Sequence, residues 1–330
     1  MFKLDTYIQI GDYEFDNSCV EIEIVNAVDS LTDTCKITIP RKFQWDGRHI
    51  ALGDDPILKR KDKVIVKAGY DGNIETEFIG YIKNIKSGVP VTIECEDSMM
   101  LLKQSEHTRA YATGLVLRKL LTDILPTDVE FVCADTTLGD YRFSKVSAAQ
   151  ILEDLHKRYG LFSYFRLITE PGQETRPVLY VGFMYSTDHR MEADFEFGHN
   201  IIDGNDLVYK REEDVRLKVK VIGIKRNNVR HEEQVGDPDG ELRTVHYYNT
   251  DNSLLKERAE KDLKRFKYTG YYGSFLTFGE PSIQKGDVAH MIGNQYHPDG
   301  KYLIKKVTKR IGVTSGYKQT IEPESIINSK

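Results

Sequence analysis

An α+β fold, mainly β, is what this sequence predicts, and three observations carry the expectation. Apolar and polar residues alternate in short runs near both ends of the chain, the repeat of a strand with one buried face. Between those regions the apolar spacing changes to that of a helix. At 330 residues the chain also exceeds what a single hydrophobic core usually fills, so two or more domains are expected.

Residues 1–100 read as strands joined by tight turns. Val20, Ile22 and Ile24 alternate with Glu21 and Glu23, and Cys35, Ile37 and Ile39 alternate with Lys36 and Thr38. The sets Val64-Val66-Ala68, Phe78-Gly80-Ile82 and Val91-Ile93-Cys95 repeat the pattern, with turn signals at Gly11-Asp12, Asp71-Gly72-Asn73 and Ser87-Gly88. A small antiparallel barrel or sandwich is the simplest way to bury such faces. The Gly- and Asp-rich stretch from Asp46 to Pro56 reads as a surface loop.

Residues 101–205 read as a mixed α+β region. Leu117, Leu120, Leu121 and Ile124 share a helical face that Pro126 terminates. Ser147 with Gln150 forms a capping box for a second helix whose buried stripe is Ile151, Leu152, Leu155 and Tyr159, closed by Gly160. Strands follow at 161–168 and 178–183. Beyond residue 206 strands return, interrupted by one helix at 253–267 with Leu255, Ala259, Leu263 and Phe266 inward. The last strands fall at 288–292, 302–311 and 317–321, so the architecture reads as a β module, an α+β insertion and a second β module at 206–330.

Composition excludes several functions. Forty-six Lys and Arg against fifty-one Asp and Glu give a net charge of -5, unlike a general nucleic-acid or membrane-surface binder. The opening MFKLDTYIQIGDYEF alternates and has no apolar signal core, and no later run reaches the roughly 18 apolar residues of a membrane span. Synthesis in the cytoplasm and no membrane insertion are therefore expected. Cys19, Cys35, Cys95 and Cys133 lie far apart without C-x-x-C spacing and read as buried thiols.

No catalytic or metal constellation stands out, and no cofactor is expected. His290 reads as a strand residue and His297 as a turn residue, at a separation that suits no metal pair. His231-Glu232 begins like a zincin motif, but Val235 occupies the place of the second histidine. Nucleophile-elbow and phosphate-loop motifs do not occur. The acid pairs Glu94/Glu96 and Glu192/Asp194 read as solvated strand faces rather than glycosidase carboxylates. Arg216, Lys218 and Lys220 project from one strand face, with Lys225 and Arg226 continuing the run. Such a row reads as a salt-bridged surface, or as a path for a polyanion or an interface.

Near the end, Gly286 and Asp287 read as a tight turn into a strand, Pro298-Asp299-Gly300 as a hairpin turn before Tyr302, and Gly316 as the turn into Tyr317. These residues read as shaping the fold rather than catalysing a reaction.

Three parts of the chain together resemble one family. YIQIGDYEF with VEIEIVNAVDSLTDTCKITIP, then VSAAQILEDLHKRYGLFSYF, then QKGDVAHMIG with DGKYLIKKVTKRIGVTSGYKQTIEPE resemble, in that order, the late-control D family of contractile-tail hub proteins. They are also similar to the N-terminal hub part of VgrG spike proteins. The resemblance implies two tube-like antiparallel β-barrel modules per subunit, at 1–100 and 206–330, with the 101–205 region at the periphery. It implies a homotrimeric ring joining a threefold spike to a sixfold tail tube. The implied partners are a separate spike protein, tail tube or tube-initiator proteins and a tape-measure protein, within a phage, prophage or phage-derived injection particle. Two other functions compete: a carbohydrate- or polyanion-binding β module, suggested by nineteen tyrosines and the basic strand, and a tail-associated cell-wall hydrolase.

Overall fold

A computed structural model describes residues 3–327 except 18–20, 41, 46–47, 52–57, 87, 113, 184–188, 205, 226–228, 249–251 and 294–297, and only the backbone of 42–45 and 48–51. Of the described residues strands make up 54% and helices 15%, so the fold is mainly β. Among the described residues thirteen strands share one sheet. Its path runs Ile201–Asp203, Phe275–Phe278, Gly316–Ile326, Gly300–Gly312, Glu21–Ala27, Thr34–Ile39, Val91–Asp97, Asn73–Lys86, Lys63–Tyr70, Leu4–Ile10, Tyr13–Asp16. Val288–Ile292 joins beside Gly300–Gly312, and Glu192–Glu196 pairs with it in parallel. Among the described residues this path does not close into a barrel.

Strands from both ends of the chain therefore lie in one sheet. Gly300–Gly312 pairs antiparallel with Glu21–Ala27, placing Ile311 opposite Ile22 and Val307 opposite Asn26. The alternation sets this register, because a slip by one residue would turn Ile22, Ile24, Val307 and Ile311, all buried, to the outside. On the opposite face one row crosses five strands as Lys318, Arg310, Glu23, Lys36 and Glu94. Three of its four neighbouring pairs bring opposite charges together, and Arg310 Nε bonds Glu23 at 3.0 Å.

The N-terminal core gathers Ile8, Ile22, Ile37, Val64, Val66 and Ile93 with Ile311 and Tyr317 of the last strands. Within the expected loop at 46–56 the chain instead forms a strand, Arg48–Ala51, paired with Lys42–Trp45. The rest of that loop lies largely outside the described residues. Cys35 and Cys95 are buried cross-strand neighbours present as thiols, and burial pushes Cys95 up to about 12. Cys19 lies outside the described residues.

Among the described residues the α-helices are α1, Met99–Leu102; α2, Leu117–Ile124; α3, Ala148–Tyr159; and α4, Asn252–Phe266. Ser147 caps α3 through the Gln150 amide at 3.2 Å, and the Gln150 side chain accepts the Ser147 N–H at 2.8 Å. Gly160 ends α3 at φ +66. The α2 and α3 stripes face a shared core with Phe165, Leu179 and Val181 of the strands Phe162–Ile168 and Arg176–Gly182. α4 belongs to a separate layer, lying against Leu217, Val219 and Val221 of a three-stranded sheet whose central strand is Leu217–Ile224.

The α3 terminus touches that sheet at a histidine. A Cβ on Gly160 would meet the His246 ring within 2.5 Å, so only glycine fits beneath it. Burial first, and His156 second, push His246 down to about 4 from an ordinary 6.5. A base depressed in the folded state contributes stability that is full above pH 6.5 and lost as pH falls through about 4. Melting temperature should therefore drop more steeply across that window in the native sequence than in His246→Gln. Equal slopes would refute the assignment.

Candidate functional site

The densest polar organisation lies along residues 279–287, between Phe275–Phe278 and Val288–Ile292. Gly286 takes φ +82, a conformation suited to glycine, and its N–H bonds the Ile304 carbonyl at 2.8 Å. That kink lets neighbouring side chains reach different units of the fold. Glu280 Oε1 accepts the Tyr70 N–H at 3.2 Å. Gln284 bridges the Leu167 backbone, accepting its N–H at 3.1 Å and donating to its carbonyl at 2.8 Å.

Asp287 is fully buried and ion-paired to Arg166. Its carboxylate also accepts the Met191 N–H at 3.0 Å and the Gln284 N–H at 2.9 Å. Burial raises its pKa and the Arg166 charge opposes the rise. The turn residue singled out from sequence thus ties the strand Phe162–Ile168, through Arg166, to the closing strands.

Lys285 points the other way, into the N-terminal region. Its Nζ lies 2.6 Å from Asp33 Oδ1 and 3.4 Å from the Ala27 carbonyl. Asp33 and Asp97 are anchored to one another: the Asp33 N–H donates to Asp97 Oδ2 at 3.1 Å, and the Asp97 N–H donates to the Asp33 carbonyl at 3.1 Å. Burial, then the Asp33 charge, pushes Asp97 up to about 7.

A third buried cluster joins Glu77, Lys309, Tyr317 and Ser282. Lys309 and the Tyr317 hydroxyl both donate to Glu77, and Lys309 reaches Ser282 Oγ at 2.7 Å. Ser282 also donates to Glu77 at 3.2 Å. Burial, then the Glu77 charge, raises Tyr317 well above its usual range, so it remains a donor. The Tyr317 carbonyl accepts the Tyr70 hydroxyl at 2.9 Å, and its ring lies where a Cβ on Gly279 would stand, 2.2 Å away.

Gly316 has φ +66 in the hairpin facing Gly312. Gly300 begins its strand opposite Met291 and leaves room for the Tyr302 ring, whose buried hydroxyl accepts the Tyr271 N–H at 3.2 Å. Lys220, in the strand Leu217–Ile224, pairs with Glu232 at 2.6 Å, and Arg216, which lies just before that strand rather than on it, is 3.6 Å from Asp237. Lys218 is half-buried opposite Gly236, whereas Lys225 lies beyond the strand end, so the row stops short of it. Arg226 and His297 fall outside the described residues. His290 Nδ1 meets Asp194 at 2.8 Å across paired strands. Glu96 departs from the expected solvated face: it is buried and paired to Lys83 at 2.7 Å and Lys103 at 2.6 Å. Among the described residues no group of three or more His, Cys, Asp or Glu side chains could hold a metal ion.

Sequence reading missed Asp33, Asp97, Glu77, Arg166, Lys285 and Lys309. One readable signal existed. Lys309 falls on the apolar parity of Val307 and Ile311, where a charge needs a buried partner.

Neither a family model nor a curated relative matches this sequence. Solved structures do match in fold, along nearly the whole chain. A tail protein from Neisseria meningitidis MC58 aligns with a TM-score of 0.63 and 14% identity, covering 98% of this chain and 96% of that one. The 43 kDa tail protein of prophage MuSo2 from Shewanella oneidensis aligns at 0.59 and 13%, covering 99% and 97%. An E. coli component of the type VI secretion system aligns at 0.61 and 11%, covering 98% and 77%. The chain therefore has the fold of phage tail proteins and of a type VI secretion component. Among the described residues no helix is long and apolar enough to cross a membrane.

Proposed function

We propose that this chain is a structural hub protein of a phage, prophage or phage-derived contractile injection particle. In that role three copies close a ring that joins a threefold spike to a sixfold tail tube. The observation that carries the reading is the near end-to-end match to two tail proteins, 98% and 99% of this chain against 96% and 97% of theirs. Two β modules per subunit, 1–100 and 206–330, would present six similar units around a threefold axis, and 101–205 would lie at the ring's edge. Closure of such a ring uses heterologous contacts. The partners in this scheme are a separate spike protein, tail tube or tube-initiator proteins and a tape-measure protein. The late-control D resemblance read from the sequence supports the same assignment.

A hub must transmit load between its parts, and the buried clusters along 279–287 suit that demand. Light scattering over a range of concentration, with and without the spike protein encoded nearby, tests the proposal. A trimer in either condition is expected. A monomer throughout would overturn the ring and bring forward the glycan- or polyanion-binding reading. Ion pairing of Lys220 with Glu232 on the adjacent strand, and of Arg216 with Asp237 just beyond it, already weakens that alternative.

A further inference from the structure

We propose that Lys285 and Asp33 become joined by an intramolecular amide bond that the fold itself forms. The two side chains are 2% and 11% exposed, with Nζ 2.6 Å from Oδ1. An amine hydrogen-bonded to a carboxyl oxygen stands at about the 3–3.5 Å reach of a near-attack geometry toward the carboxyl carbon. The Tyr164 ring lies 5.1 Å from Nζ and belongs to a buried apolar cluster with Val28, Val288 and Leu303. Such a wall removes the water that otherwise favours separate ions over the amide.

The cluster holds two carboxyl groups against one amine. Burial raises the pKa of Asp33, and Asp97 is pushed up to about 7 by burial and then by Asp33, so Asp97 can take up and give back a proton near neutrality. Lys285 passes one proton to the Asp33 carboxylate, and the neutral amine attacks Cγ. The Ala27 N–H, 3.3 Å from Asp33 Oδ1, steadies the oxygen that takes this proton and later departs. The second amine proton goes to Asp97 and is returned to the departing Asp33 oxygen. The C–N bond forms, the C–O bond breaks and one water leaves. An ammonium and a carboxylate have become an amide and water, with no oxidant or cofactor.

The other two buried ion pairs act as internal contrasts. Arg166 offers Asp287 a guanidinium, which stays charged and is no nucleophile. Glu77 accepts bonds from Lys309, Ser282 and Tyr317, so the ammonium shares its carboxylate with two hydroxyls. The bond is therefore specific to residues 33 and 285, and it would staple the N-terminal strands to the segment that holds the insertion.

Intact mass spectrometry of the purified full-length chain under denaturing conditions is the test. The expected mass is lower than the sequence requires by one water, with digestion yielding a single branched peptide carrying Asp33 and Lys285. A mass equal to the sequence, with the two peptides recovered separately, overturns the proposal and leaves an ion pair. Lys285→Arg should show no loss of water. Asp97→Asn should also retain the water, and its loss from that variant would overturn the role given to Asp97. The native measurement decides the bond even if either variant fails to fold.

Discussion

Asp287→Ala is expected to lower the unfolding free energy by about 3–5 kcal/mol, the cost of leaving a buried charge without its partner. Arg166 is only 3% exposed, so its guanidinium cannot turn to water when the carboxylate is removed. The same change deprives the Met191 and Gln284 N–H groups of their acceptor. Asp287→Asn keeps an acceptor oxygen but not the charge, and should fall between the two. Replacing both partners with apolar residues of similar volume should recover much of the loss, because no ion is then buried alone. The urea midpoint, with its slope unchanged, reads the effect. A shift in Asp287→Ala no larger than that of an exposed control such as Asp239→Ala would refute it.

Glu77→Leu should be comparably severe for a different reason. Glu77 is the shared acceptor for an ammonium and two hydroxyls contributed by Lys309, Tyr317 and Ser282. Its loss strands Lys309, 3% exposed, and leaves the Tyr317 hydroxyl without the acceptor that holds its ring against Gly279. About 3–5 kcal/mol is again the expected cost. Lys309→Met alone should cost a similar amount, and the Glu77→Leu/Lys309→Met double variant much less than the sum. Additive losses would show that the two residues act independently. Because Glu77 lies on Asn73–Lys86 and Lys309 on Gly300–Gly312, the cycle measures how firmly the two ends of the chain are held together.

The two predictions concern residues of unequal legibility. Asp287 was visible because Gly-Asp before an apolar strand is a turn signal, and the structure adds that its carboxylate reaches Arg166, 121 positions earlier. Glu77 gave no such sign, since Glu75-Thr76-Glu77 reads as an ordinary polar stretch. The basic strand was legible only as a row of charge, not by its partners. Arg216, Lys218 and Lys220 read as a positive row, but Glu232 comes from the adjacent Arg230–Gly236 strand and Asp237 from just beyond it, meeting Lys220 and Arg216. Glu96 misled, because its parity beside Cys95 said nothing of Lys103 on the next turn of chain.

By itself the sequence determined the local elements. The alternation through Ile22, Ile37, Val66 and Ile93, the Ser147–Gln150 capping box and the Gly160 terminus each depend on neighbours within a few residues, so their physics is complete in a short window. Only the tertiary structure decided that Gly300–Gly312 lies beside Glu21–Ala27, merging the two ends into one sheet. It alone also decided which buried charge meets which. Strand pairing and ion pairing across 252 residues, as between Asp33 and Lys285, depend on how whole layers stack, and that geometry has no period in the sequence to announce it.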